Sequence, residues 1–178
     1  IWDWADQGIN KYGEPADHYY FGGDFGDKPN DLDFCCNGLT TPDRRITAKL
    51  LEVKKVYQYI KFRGLALNAG KIEIENKYDF TNLEKFDIGW TVMRNGMTVE
   101  SGTVASLFLE ANGKTTLTVP YKTRIEAGSE YFLNVWFSLK DDATWADAGH
   151  IVASEQFPLN SRPEIPAVQT ADLNKISV

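Results

Sequence analysis

The chain has 178 residues, 43% hydrophobic and 25% charged, enough to bury one sizeable core and too apolar for a disordered polypeptide. Nineteen basic against twenty-five acidic side chains leave a net charge of −6, which argues against the basic stripe of a general nucleic-acid binder. No apolar run approaches the ~20 residues of a membrane span, and adjacent Cys35 and Cys36 read as thiols rather than a disulfide framework.

The distribution divides the chain. Of its 23 aromatics, eight lie in the first 34 residues, and residues 1–45 hold nine acidic and four basic side chains. The remainder is near neutral and rich in alternating patterns. Ile1-Trp2-Asp3-Trp4-Ala5-Asp6 reads as a strand already under way, with Trp2 and Trp4 on one face. No initiator Met or leader pattern precedes it, and Arg162-Pro163-Glu164-Ile165-Pro166 reads as a linker. The expectation is a piece of a longer polypeptide.

From Gly8 to Asp33 the chain is punctuated by Gly, Pro, Asp and Asn, yet Tyr19, Tyr20, Phe21, Phe25 and Phe34 argue for an ordered loop packed by its own side chains. Apolar residues at 50, 53, 56 and 57 mark one face of a short helix that Thr47 can cap. From residue 60 the period changes to two. Strands are expected at 71–76 (continuing to 80), 88–94, 98–103, 115–120, 130–139 and 151–159, with Asn95-Gly96 as a two-residue hairpin turn. The fold class is mainly β: an antiparallel sandwich of immunoglobulin or fibronectin type.

Several residues could carry chemistry. Trp2, at a strand end beside acidic loops, can lie beneath the C–H face of a sugar ring, or it can be a core aromatic. Asp24, Asp27, Asp31 and Asp33, with Asn30 and Asn37, offer oxygens to a hard cation, and serve equally as turn-forming residues. His18 and His150 have no matched zinc partner and suit packing roles. No Gly-x-Ser-x-Gly elbow is present. A glycosidase needs two carboxyls flanking the bond, ~5–5.5 Å apart for retention, and no credible pair stands out, so no catalytic residue is assigned.

The segments Ile1-Trp2-Asp3-Trp4-Ala5-Asp6-Gln7-Gly8, Phe21-Gly22-Gly23-Asp24-Phe25-Gly26-Asp27-Lys28-Pro29-Asn30-Asp31, Phe34-Cys35-Cys36-Asn37-Gly38-Leu39 and Pro42-Asp43-Arg44 resemble, in order and spacing, the large bacterial β-galactosidases of glycoside hydrolase family 2. Asn76-Lys77-Tyr78-Asp79-Phe80 and Trp145-x-x-Ala148-Gly149-His150 resemble the same family. Arg45-Ile46-Thr47 and Cys36 depart from its usual residues.

The resemblance implies that residues 1–59 are the C-terminal strand, loop and helix of a (β/α)8 barrel, that 60–162 are the family's fourth domain, a β-sandwich, and that 163–178 lead toward a further domain. It implies hydrolysis of terminal β-D-galactosides with retention, through glutamates absent from this chain, so that the fragment alone would be inactive. Trp2 becomes the platform under the galactosyl group, Asn37 and Asp31 become substrate-binding residues, and the Phe34 carbonyl and Asn37 side chain become ligands of a sodium ion. Magnesium would be held by residues outside this chain. The implied partners are the β-galactoside, the remaining domains and a second copy through exposed barrel surface, with no nucleic acid and no membrane. A bacterial cytoplasmic or periplasmic location stays open. The alternative is a non-catalytic sandwich for carbohydrate binding or domain spacing.

Overall fold

Alternation at a period of two is realised in strands whose side chains turn by turns into a core and away from it, as in the burial patterns of residues 71–76 and 131–139. The computed structural model describes residues 2–160, and its packing divides the chain between Gln58 and Tyr59. The expected linker 163–178 lies outside the described residues.

The second unit holds seven strands: β1 (Ile60–Ala66), β2 (Lys71–Asn76), β3 (Phe86–Arg94), β4 (Met97–Val104), β5 (Lys114–Thr118), β6 (Tyr131–Leu139) and β7 (Ile151–Pro158). They form two antiparallel sheets, ordered β1-β2-β5 and β4-β3-β6-β7. This is an immunoglobulin- and fibronectin-like sandwich. Ile60, Phe62, Ile72, Ile74 and Leu117 of one sheet and Ile88, Trp90, Val92, Leu133, Val135 and Phe137 of the other make one buried cluster. Phe62 meets Phe137 across the layers at 5.7 Å between ring centroids.

Asn95 and Gly96 both have positive φ, at 48° and 81°, and close a two-residue hairpin between β3 and β4. Two details differ from the sequence reading. β1 was not among the expected strands, and β2 stops at Asn76 instead of continuing through Phe80. Asn76 keeps the inward phase of Ile72 and Ile74 but is fully buried, and its amide serves the carbonyls of Thr81, Leu109 and Glu110 where the strand ends.

The first unit is built differently. Helix α1 (Ala48–Val56) starts at Thr47, whose hydroxyl accepts the Leu50 N–H at 3.4 Å. A 3-10 turn spans Gly22–Phe25, and residues 3–6 run alongside residues 37–40. Among the described residues of this unit, Leu39 is the only buried hydrophobic side chain, while Trp2, Trp4, Ile9, Tyr12 and Leu32 are exposed. A segment with so many large apolar groups and no core of its own is part of a larger packed body.

Candidate functional site

The opening residues are fastened to the turn at Asn37 by main-chain hydrogen bonds. The Asp3 N–H donates to the Asn37 carbonyl at 3.2 Å, and the Leu39 N–H donates to the Asp3 carbonyl at 2.9 Å. The Thr40 N–H donates to Trp4 at 2.9 Å, and the Asp6 N–H to Thr40 at 3.0 Å. Trp2 therefore sits next to a residue paired with Asn37, and its indole is 73% exposed, open to a ligand face. The Trp2–Asp3 peptide bond is cis.

Three polar residues of this first motif brace it. Asp6 Oδ1 accepts the N–H groups of Gln7, Asn37 and Gly38 at 3.0, 3.1 and 3.4 Å. Gln7 Nε2 donates to the Asp3 carboxylate. Sequence reasoning singled out only the tryptophan here. The signal was present in the polar positions of the same motif, but their partners lie about thirty residues onward and only the fold reveals them.

The loop that follows packs on itself. Asp24 caps the 3-10 turn by accepting the Phe21 N–H at 3.0 Å, and Asn30 accepts the Leu32 N–H at 3.0 Å while donating to the Asp27 carbonyl at 2.7 Å. Gly22, at φ +49°, lies so close to Leu32 that a Cβ would stand 2.0 Å from its carbonyl oxygen. Lys11 Nζ donates to the Asp24 carbonyl at 2.9 Å and stands 3.8 Å from the Tyr20 ring centroid. Asp24 and Asn30 thus act as turn-forming residues, the second of the two readings open for them.

These contacts border an open cavity of about 530 Å³ with an aromatic wall of Tyr20, Phe21, Phe25 and Phe34 and polar groups from Gln7, Asn30 and Asp31. Partial burial, with the Glu14 and Asp24 carboxylates, raises the Tyr20 phenol, which stays neutral at physiological pH. Asp31 and Phe34 share this cavity, and the Phe34 N–H donates to the Asp31 carbonyl at 3.0 Å. Trp2 and Asn37 do not line it. The expected site residues are thus gathered as two pairs, Trp2 with Asn37 and Asp31 with Phe34.

The donor chemistry is specific. Among the described residues the Phe34 carbonyl accepts no hydrogen bond, and the Asn37 side chain makes none, its Nδ2 being buried without a partner. Both offer neutral oxygens. No group of three or more His, Cys, Asp or Glu suited to a metal ion is present among the described residues. Cys35 is a poor nucleophile, because desolvation and the adjacent Cys36 push its thiol up, keeping it protonated near neutrality. Both cysteines are free thiols. His18 packs against Tyr20 at 4.6 Å and His150 edge-on to Trp145 at 5.5 Å, in aromatic contacts.

Comparison with known proteins gives a family for each unit. The model of the family described as glycosyl hydrolases family 2, TIM barrel domain, matches residues 1–62, and that of β-galactosidase, domain 4, matches residues 72–160. The chain belongs to the glycoside hydrolase family 2 β-galactosidases. It is 39% identical over 173 residues to a β-galactosidase of Priestia megaterium, covering 96% of this chain and 17% of that protein. It is 36% identical to a β-galactosidase of Pseudoalteromonas haloplanktis (100% of this chain, 18% of that protein), and 34% identical to one of Vibrio vulnificus strain YJ016 (99% and 18%). The chain spans about a sixth of the length of these curated relatives. The barrel-domain match falls almost wholly in the first unit and the domain 4 match wholly in the second.

Proposed function

We propose that this chain is part of a β-galactosidase that hydrolyses terminal non-reducing β-D-galactosides with retention. The observation that carries the reading is the exposed Trp2 indole beside the Asn37 turn, joined by the bonds between Asp3, Asn37 and Leu39. An indole face stacks on the C–H face of galactose, and an amide held alongside it hydrogen-bonds the hydroxyls. Asp31, exposed at the mouth of the aromatic cavity, belongs to the surrounding hydrogen-bond network.

The unpartnered Phe34 carbonyl and the Asn37 side-chain oxygen are hard oxygen donors that suit a sodium ion, and the carboxylate that completes such a site would come from outside this chain. When bound, the ion supplies a fixed positive charge that orients a sugar hydroxyl. Magnesium would be held by residues outside this chain.

Retention requires one carboxyl as acid and base and a second as nucleophile. The carboxyls here whose acidity shifts move the wrong way for a general acid. Asp43 is lowered by the Thr41 hydroxyl, and Glu73 by Arg63. The sequence offers no credible carboxyl pair either, so in this reading the catalytic pair comes from the rest of the protein and this chain alone is inactive. The exposed apolar side chains of the first unit are covered by the remaining barrel, or by a second copy when the chain is isolated.

The test is hydrolysis of a chromogenic β-galactoside by the full-length protein and by this chain. An active parent and an inactive chain are expected. Activity in the chain alone overturns the division of labour. An inactive parent overturns the assignment and leaves the sandwich as a binding or spacing module.

A further inference from the structure

We propose that Asp6 is a positioning residue whose carboxylate sets where the Asn37 side chain stands relative to Trp2. The inference deepens the reading above, in which Trp2 and Asn37 contact the galactosyl unit, and depends on it. Because the Asn37 side chain has no hydrogen-bond partner among the described residues, its aim depends on where its own backbone is held. That backbone is held on two sides. Its carbonyl accepts from Asp3 at 3.2 Å, and its N–H donates to Asp6 Oδ1 at 3.1 Å.

The grip is close and one-sided. Asp6 Oδ1 also takes the N–H of Gly38 at 3.4 Å, and no other acceptor among the described residues takes either of these two N–H groups. The Asp6 backbone in turn donates to Thr40 at 3.0 Å, so one residue clasps the turn at both ends. A Cβ on residue 38 would stand 2.1 Å from the Asp6 nitrogen and 2.5 Å from its Cα, so glycine is what admits this approach. A carboxylate receiving several N–H groups is a strong, short-range anchor, and moving its oxygen by one methylene moves the turn with it.

The test uses the full-length protein carrying Asp6→Asn, Asp6→Glu or Asp6→Ala, with two readouts. These are steady-state hydrolysis of a chromogenic β-galactoside and calorimetric binding of a non-hydrolysable thio-β-galactoside. Asp6→Asn keeps the accepting oxygen and stays within about threefold of the unsubstituted protein in both, whereas Asp6→Glu, displacing it, raises KM and the inhibitor Kd by about tenfold with kcat changed less than about threefold. A merely structural role would reduce the active fraction, lowering kcat at constant KM, and that result overturns the proposal. So does an impaired Asp6→Asn beside a normal Asp6→Glu, which would mean that charge and not position matters. Where Asp6→Ala or Asp6→Glu fails to fold, amide exchange decides: the Asn37 and Gly38 N–H groups stay protected in the unsubstituted protein and in Asp6→Asn, and rapid exchange in either overturns the clasp. An unsubstituted protein that neither cleaves nor binds galactosides refutes the functional reading itself, whereas normal activity with unaffected variants refutes only the role of Asp6.

Discussion

The side-chain amide of Asn76 donates to the main-chain carbonyl of Leu109 at 3.0 Å, linking the end of β2 to the segment that leads into β5. The same Nδ2 reaches the Thr81 and Glu110 carbonyls at 2.8 and 3.0 Å, and Oδ1 accepts the Tyr78 N–H at 3.0 Å. With no exposure to solvent, the Asn76 side chain has no water to fall back on. Asn76→Ala is expected to destabilise the chain by about 3 kcal/mol, because it removes all four of these hydrogen bonds from a fully buried side chain. Asn76→Asp should be worse, since its carboxylate would face three carbonyl oxygens. Urea unfolding of the three proteins checks this order.

Gly89 lies directly opposite Trp136 on neighbouring strands, and a Cβ at residue 89 would stand 2.3 Å from the indole ring. Replacing a strand glycine ordinarily gains stability by reducing the freedom of the unfolded chain. Here the sign reverses, and Gly89→Ala should cost about 2–3 kcal/mol through overpacking. Trp136→Ala removes the obstruction. The double variant should therefore be less destabilised than the sum of the two single changes, a coupling that a double-mutant cycle measures directly.

Glu100 ties edge strand β4 to the segment after β5, accepting the N–H groups of Lys122 at 2.9 Å and Thr123 at 2.7 Å and the Thr123 hydroxyl. Desolvation alone would raise its pKa, but these donors outweigh it and hold the carboxyl below the usual range. A pKa depressed in the folded state stabilises above the unfolded value of about 4.3 and loses that contribution as pH falls through the folded value. At pH 7, Glu100→Gln should be less stable by about 1–2 kcal/mol. The gap should narrow as the pH drops below about 4. Thermal melting across a pH series reads both.

Sheets with a buried face announce themselves in the sequence, and β6 was legible because apolar residues alternate through Leu133, Val135 and Phe137. β1 was not, since its alternation ends after Phe62 and its pairing with β2 shifts register between Gly64 and Ala66. The overrun of β2 has a different cause: the alternation already puts Asn76 on the inner face with Ile72 and Ile74, but nothing local says that the strand ends there until the carbonyls it serves are brought to it. In the first unit, the roles proposed for Trp2, Phe34 and Asn37 come from the motifs that resemble the family. The clasp of Asp6 on Asn37 spans 31 positions and depends on Gly38, a relation that periodicity does not encode.

At Trp2, binding and stability are expected to part. With 73% of it exposed, its side chain adds little to the packing of this chain, so Trp2→Ala should leave the chain's unfolding free energy within about 0.5 kcal/mol. In the full-length protein the same change removes the proposed sugar platform. If the indole stacks on galactose, affinity for a thio-β-galactoside should fall by about 10- to 100-fold, the range expected for losing an aromatic anchor. Calorimetric titration beside a melting curve distinguishes the outcomes. Lost stability with unchanged affinity would identify Trp2 as a packing residue, and unchanged stability with lost affinity would place it under the sugar.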